Sequence, residues 1–568
     1  MRKTRKRIIG AATAVSALAL MLTGCSENTG TTSASSSAAG VTIDAAHSVG
    51  AMDNYNVGTT FKATEPVNIS LLYRDMPNYP VQNNWMIFQK LTANQNVSFT
   101  RTDIQFSDWQ TKRGLTVSGG DAPEVMPVFY SGEETPYVSS GVLLPISDYV
   151  QYMPNFQKDL QQFGLSDYLD TKRQSDGKYY QLPGLMEIAK IQYSIIVRDD
   201  AWKAAGLTDD PATMDDLTTA LQKLQQTGMC GSTALSTANN AKDILQGFAP
   251  GYNTQAGDWM WQGGSAYWDA SQNPATYVFS GAQDQYKSLL SYMANWVSTG
   301  VMDKESLTQS TSDNTQAEAK FTSGQVCATT GNDQDAGKYQ QELNGNGINT
   351  TVHMLRIPAG PYGDYITGGQ RFSSGMIFGA KLAQDPHFKA ILQFVDWLYY
   401  SPEGIEFAQW GVQCPSGVTD STQCTYTKDS SGTRKLLTDI NNNQNLNPGS
   451  DRKNLTSVYG FSNGVFWPAN GTFKDLMLSY YSPIMQDFSN KMADKKELPT
   501  PPATPMDQDT LDQVAGYYTP LRDMENTNLT NFILGTQSID SGWDTYTSQL
   551  KSNNMDQYIQ LYNSNVKQ

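Results

Sequence analysis

The side chains of this sequence that are best placed to do chemistry offer stacking and hydrogen bonding rather than bond-making. The densest aromatic stretch is Tyr252 to Trp261, which holds Tyr252, Trp259 and Trp261 and continues to Tyr267 and Trp268. Glycines flank the two tryptophans, so a periodic core helix describes the stretch poorly; a hydrophobic mini-core beneath a long loop is the competing reading. Polar and aromatic groups also stand together in short turns. These are Arg74, Asp75 and Asn78 after one apolar run, Tyr130 and Glu134 after another, and Glu187 alone. Asn332 and Asp333 follow Gly331, Gln370 and Arg371 follow a Gly-Gly pair, and Trp467 closes Gly464–Trp467. Each has a plainer reading: Arg74 and Asp75 pair with each other at the surface, Glu187 is a solvated carboxylate, and Trp467 packs in a core.

Reaction chemistry finds little support. Only His47, His353 and His387 occur, without an H-E-x-x-H spacing, and Asp333-Gln334-Asp335 lacks the glycine and closing Glu of a calcium loop. Neither a P-loop lysine motif nor a G-x-S-x-G elbow is present, and no cofactor or metal is expected. A glycosidase needs only two carboxyls about 5 to 9.5 Å apart, and 55 acidic residues leave that alternative open.

Composition narrows the field further. With 40 basic and 55 acidic residues the net charge is -15, so there is no basic excess with which to neutralise phosphates, and nucleic acid is excluded as a partner. The 11 Trp, 30 Tyr and 20 Phe, set against 17% charged residues, suit recognition of polar, uncharged matter. The 568 residues are enough for several domains with a sizeable core.

The N-terminus reads as an address. Five cations in residues 2–7 precede a 15-residue apolar run, Ile8–Leu22, and then Thr23-Gly24-Cys25. The run is short for a transmembrane helix, which needs about 20 residues, and has the layout of a signal peptide over residues 1–24. Leu22-Thr23-Gly24-Cys25 resembles the bacterial lipobox, in which the cysteine thiol receives a diacylglycerol; an ordinary secretory signal with a chance cysteine is the alternative. Ser, Thr, Ala and Gly dominate residues 26–40, so the segment following Cys25, expected to extend over 25–60, is read as a flexible tether. Export permits disulfides, and the four remaining cysteines allow three pairings. Cys414 and Cys424, ten positions apart in a polar loop, form the expected local bridge, which leaves Cys230 with Cys327; unpaired buried thiols are the alternative for that second pair.

Strands are expected at Val67–Tyr73, Glu124–Tyr130 and Gln192–Arg198, with loops from Arg74 and from Gly119 to Pro123. Helices are expected over Trp85–Leu91, Asp200–Ala205 and Pro386–Tyr400, from Thr213 with Asp216 as a capping partner, and from Ser401 with Pro402 at the first turn. Three prolines in Thr500–Pro505 make a stiff connector, and Trp543, Tyr546 and Leu550 lie at helical spacing. Alternating strands and helices imply an α/β fold with largely parallel sheets.

In this order the segments resemble the extracellular solute-binding lipoproteins of ABC sugar importers, in their large carbohydrate-binding branch. The pieces that carry the likeness include the lipobox, Gly119–Glu124, Gly141–Ile146, Asp176–Pro183, Val197–Leu207, Pro211–Leu217, Phe321–Val326, Ser401–Gly404, Phe532–Gly535 and Trp543–Tyr546. The sequence departs from the family after the Ser401 helix, where Gly411–Gly417 opens a long polar insertion to about residue 450. The resemblance implies a two-lobe type II periplasmic-binding-protein-like fold, with hinged lobes and a central cleft. Its expected divisions are lobe 1 over 61–188 with a return at 366–450, and lobe 2 over 189–365 with a return and C-terminal helices at 451–568. It places Arg74, Asp75, Asn78, Tyr130 and Glu134 on the first lobe's cleft face and Glu187, Gln370 and Arg371 at crossings. Tyr252, Trp259, Trp261, Asn332, Asp333 and Trp467 complete the expected ligand contacts. The implied function is a monomeric receptor, anchored through Cys25 on the outer face of the cell membrane, which passes an oligosaccharide to an ABC permease. A secreted glycosidase and a binder of peptides or another solute remain the alternatives.

Overall fold

The computed structural model describes residues 41–189, 191, 193–256, 265–308, 314–367, 371–443, 446, 447, 449, 451–467 and 473–567. Nine strands build its two principal sheets: β1 (Val67–Asp75), β2 (Val97–Gln105), β3 (Val125–Phe129), β4 (Gln181–Leu185), β5 (Ser194–Arg198), β6 (Leu235–Ser236), β7 (Ala328–Gly331), β8 (Val352–Met354) and β9 (Phe372–Phe378).

β1 shows why the chain extends there. Val67, Ile69, Leu71 and Tyr73 alternate onto one buried face, the period of a strand packed on a core. It runs on through Arg74 and Asp75, which were expected in a loop, because β2 pairs with it in parallel from Val67↔Val97 to Asp75↔Gln105. β2 has no such alternation and was not foreseen. β3 is buried along its whole length, as a central strand covered on both faces should be.

The first sheet has the order β2-β1-β3-β9-β4, and the second β8-β5-β7-β6. Both are mixed rather than largely parallel. β9 runs against β3 and β4, and β5 runs against β7 and β8. The reason is topological: β9 comes back from the other half of the molecule and β5 has just left for it, so each opposes its neighbours. A glycine is required where β9 meets β4, because a Cβ on Gly375 would lie 2.0 Å from the Leu182 carbonyl oxygen.

Each sheet has its own hydrophobic core. The first gathers Tyr73, Trp85, Phe156, Trp397 and Trp410; the second gathers Trp202, Tyr286, Trp296, Phe532, Trp543 and Tyr546. The helix Phe388–Tyr400 buries twelve of its thirteen residues in the first core. The capped starts expected from sequence are present: Thr213 and Asp216 form a reciprocal capping box, and Ser401 Oγ accepts from Gly404 N at 2.9 Å.

Three segments join the halves. The first lies between Leu185 of one core and Ile195 of the other, and the second between Ile366 and Met376. The third is the helix Lys474–Tyr480, which serves both sides: Leu476 and Tyr480 enter the first core while Met477 enters the second. Leu455, Tyr459, Phe461 and Phe466 also belong to the first core, so the second return to lobe 2 comes near residue 477 and not at 451.

The tether expected over 25–60 is shorter as well. Val49 N donates to Pro386 O, Met52 N to Gln393 Oε1 at 2.8 Å, and Tyr55 Oη to Asp396 Oδ2 at 2.8 Å, so residues 41–60 are strapped to the first lobe. The bonded cysteine pairs are Cys230–Cys327 and Cys414–Cys424. The latter staples a polar insertion carrying the hairpin Tyr426–Lys428 and Arg434–Leu436, which Glu406 secures by accepting from Tyr426, Lys428 and Arg434.

Candidate functional site

Strand direction decides which edges of the sheets can meet a ligand. In the first lobe the carboxyl ends of β1, β2, β3 and β4 and the start of β9 lie along one edge, beside the crossings. In the second, Ser194 at the start of β5 pairs with Gly331 at the end of β7, and β6 ends on the same side. These two edges flank the crossings, the usual place for ligands of open α/β sheets.

The first edge is a continuous strip of rings and charges. At the end of β2, Phe106 is 51% exposed, unusual for so large an apolar ring. The Arg74 guanidinium lies 5.8 Å from its centroid and 5.9 Å from that of Trp109. Next along, Arg113 grips Glu133 with a two-pronged pair of 2.7 and 3.0 Å and covers the Phe129 ring at 4.6 Å. Glu133 Oε2 also accepts from Tyr130 N at 2.8 Å, fixing the turn that presents Tyr130 half-buried. The strip begins at a β-bulge, where the register between β3 and β9 shifts and Val128 has φ 63°. A β-branched residue there costs on the order of 1–3 kcal/mol, and bulges of this kind re-aim the side chains beyond them.

Glu134 follows, only 1% exposed, accepting from Gly132 N at 2.9 Å and Gln174 Nε2 at 3.3 Å. Burial raises its pKa, and burial likewise lowers that of the neighbouring Lys172, whose ammonium stands over the Tyr168 ring at 5.7 Å. Both line a cavity of about 170 Å³ that also touches Thr171, Thr504, Pro505 and Met506. A second cavity of about 210 Å³ lies at the crossings, with Glu187, Arg371, Lys474 and Glu497 among its polar walls and Met477 and Met485 among its apolar ones.

The second edge is made of amides. Asn332 caps the helix Asp333–Gly345, accepting from Gln334 N and Asp335 N at 2.8 and 3.1 Å, and its Nδ2 faces the Tyr193 hydroxyl at 3.5 Å. Beyond β6 the chain passes through Asn239, Asn240 and Ala241 at φ 53°, 57° and 57°. Lys242 then donates to Asn526 Oδ1 at 2.8 Å, and the adjacent Glu525 accepts from Ser265 Oγ at 2.5 Å.

The candidate residues named from sequence distribute as follows. Arg74 and Tyr130 stand on the first edge, Asn78 is exposed on the loop beyond β1, and Glu134 lines the 170 Å³ cavity. Asp75 is buried and occupied, accepting from Val81 N at 2.8 Å and Gln105 Nε2 at 2.6 Å; it shapes the edge and does not pair with Arg74. Glu187 accepts from Lys474 N at 2.7 Å, tying the first crossing to the third. Arg371 donates to the carbonyls of Met186 and Phe163, tying the second to the first.

Two of those residues need correction. Tyr252 is buried in the second core beside Tyr292, and Trp467 is buried against Tyr480, so each is a packing ring. Trp259, Trp261 and Gln370, and the side chain of Asp333, lie outside the described residues. Ala256 and Ser265 are both buried, and Ser265 Oγ donates to Glu525, whose neighbour Asn526 accepts from Lys242.

Sequence reasoning missed Phe106, Arg113 and the 239–241 turn. Unrecognised β2 hid Phe106, although an aromatic just past a strand end is a readable signal. Among the described residues no cluster of three or more His, Cys, Asp or Glu side chains could hold a metal ion.

Residues 86–416 match the family model described as bacterial extracellular solute-binding protein. The chain is 24% identical over 531 residues to the fructooligosaccharide ABC transporter substrate-binding protein FusA of Streptococcus pneumoniae serotype 4, covering 89% of this chain and 91% of the relative. Among solved structures, an extracellular solute-binding protein from Bifidobacterium longum subsp. infantis superposes with a TM-score of 0.65 at 15% identity, over 89% of this chain and 99% of that one. The S. pneumoniae FusA complex with kestose superposes at 0.60 and 19% identity, over 88% and 98%.

Proposed function

Because this chain belongs to the bacterial extracellular solute-binding proteins, we propose that it captures an oligosaccharide between its two lobes and delivers it to the permease of an ABC importer. The observation that carries the reading is the pairing of unlike edges. One offers the half-exposed Phe106 ring beside Arg74, with Tyr130 at the end of a neighbouring strand; the other offers Asn332, Asn239 and Asn240. A sugar ring has a flat C–H face that an aromatic covers and a rim of hydroxyls that amides satisfy. Leaving such a polar group unpaired costs about 1–3 kcal/mol, so matched hydroxyls set specificity. The name of the relative FusA, which refers to fructooligosaccharides, supports this class of guest.

The mechanism is mechanical. Lobes joined by three short crossings bend about them, and closure over the guest excludes water from both edges. The carboxylates along the first edge are committed to holding it in shape: Glu133 to Arg113 and Tyr130 N, Asp75 to Val81 N and Gln105. In this reading the guest is bound and released unaltered. A lipid on Cys25 holds the protein at the extracellular face of the cell membrane, and residues 41–60 are bound to lobe 1. Among the described residues no helix is long and apolar enough to cross a membrane.

A thermal-shift screen of oligosaccharides, monosaccharides and peptides tests the reading. A raised melting temperature with oligosaccharides, recovered intact, is expected; stabilisation by peptides alone contradicts it.

A further inference from the structure

The turn that follows β6 holds a run of left-handed residues. Asn239, Asn240 and Ala241 are consecutive non-glycine residues at φ 53°, 57° and 57°, a region that Asn visits singly but that runs of L-residues avoid. The turn is held there from both sides: Thr237 N donates to Ser306 Oγ at 2.8 Å and Ala238 N to Thr330 Oγ1 at 2.8 Å, while Asp243 Oδ1 accepts from Ile244 N at 2.8 Å. Strain kept in place by its surroundings is typical of binding sites, and this turn lies on the edge that carries Asn332.

One oxygen adds a second observation. Asn240 Oδ1 is shielded from water and has no hydrogen-bond partner among the described residues. A buried acceptor calls for a donor. The nearby cation does not serve, since the Lys242 ammonium donates to Asn526 Oδ1.

We infer that the Asn239–Asn240–Ala241 turn is the second lobe's recognition element, and that it reads an uncharged, hydroxyl-bearing part of the guest. A hydroxyl donates to an orphaned acceptor, whereas a uronate carboxylate has no proton to donate to it. The inference rests on the oligosaccharide-receptor reading and adds to it where the second lobe touches the guest and that this part of the guest is neutral.

The test is calorimetric titration of the full chain with the neutral oligosaccharide that gives the largest thermal shift, and with an oligouronate of equal length. Asn240→Gly removes the side chain while suiting the left-handed backbone, so its melting temperature should equal or exceed that of the wild type while Kd rises about ten-fold or more. Asn240→Asp keeps size and backbone tolerance but places a charge among acceptors; it too should fold and lose affinity. The oligouronate should bind the wild type more weakly than the neutral sugar. Wild-type affinity retained within about two-fold by both folded variants overturns the turn's role and leaves the receptor reading standing. An oligouronate that binds as tightly as the neutral sugar overturns the uncharged guest. A wild type that binds no sugar overturns both readings together.

Discussion

Arg74 and Phe106 leave neighbouring strands at the same edge, and the guanidinium carbon of one lies 5.8 Å from the ring centre of the other. The pairing places a cation beside a ring that is half open to solvent.

Phe106→Ala should therefore weaken oligosaccharide binding by about 1 kcal/mol, roughly a five-fold rise in Kd. Unfolding free energy should change by less than about 0.5 kcal/mol, because an exposed ring contributes little to the core. Titration calorimetry and a chemical melt on the same variant separate the two effects; unchanged affinity would remove Phe106 from the site.

Asp159 gives the first lobe a pH dependence. Burial raises its pKa to about 8, and its Oδ1 has no hydrogen-bond partner among the described residues. A carboxyl whose folded pKa lies above its unfolded value of about 3.9 favours the folded state most when protonated in both. Its contribution is thus present at acid pH, declines as pH rises through that range, and is gone above about 8. Asp159→Asn should raise the melting temperature by a few degrees at pH 9 and by much less at pH 5, as read by differential scanning fluorimetry. Equal effects at both values would contradict the assignment.

The two disulfides differ in the loops they close. Cys230–Cys327 spans 97 positions and Cys414–Cys424 spans 10. Loop-closure entropy predicts losses of about 4.7 and about 2.7 kcal/mol on removal. Paired Cys→Ala variants should melt in that order, and only the 230/327 pair should disturb the second lobe's core.

The N-terminal expectation has its own test. Cys25→Ser should move the protein from the membrane fraction to the culture medium without altering sugar affinity, since no residue of the proposed binding edges lies in the tether. Retention at the membrane would call for another anchor.

What the sequence made legible followed from local rules. Alternation in Val67–Tyr73, the Thr213–Asp216 box and the Ser401-Pro402 start all depend on neighbours within a few residues, and the structure contains each. β2 was hidden because Val97–Gln105 alternates poorly and is an edge strand paired only with β1. The antiparallel course of β5 and β9 was hidden because it depends on the chain's passage between lobes. For the proposed site, residue type singled out Arg74, Tyr130 and Asn332 as candidates but could not separate a cleft ring from a core ring. Tyr252 and Trp467 look like binding aromatics in sequence and are packed against Tyr292 and Tyr480. The 239–241 turn gave no signal, since neither Asn-Asn nor Ala demands a positive φ; tertiary contacts impose it.

A crystal structure of the protein grown with its best-stabilising oligosaccharide examines the central claim most directly. The account predicts an intact guest lying between the Phe106–Tyr130 edge and the Asn239–Asn332 edge, with the lobes closed over it. A guest bound elsewhere, or density for a cleaved sugar in that space, would contradict it.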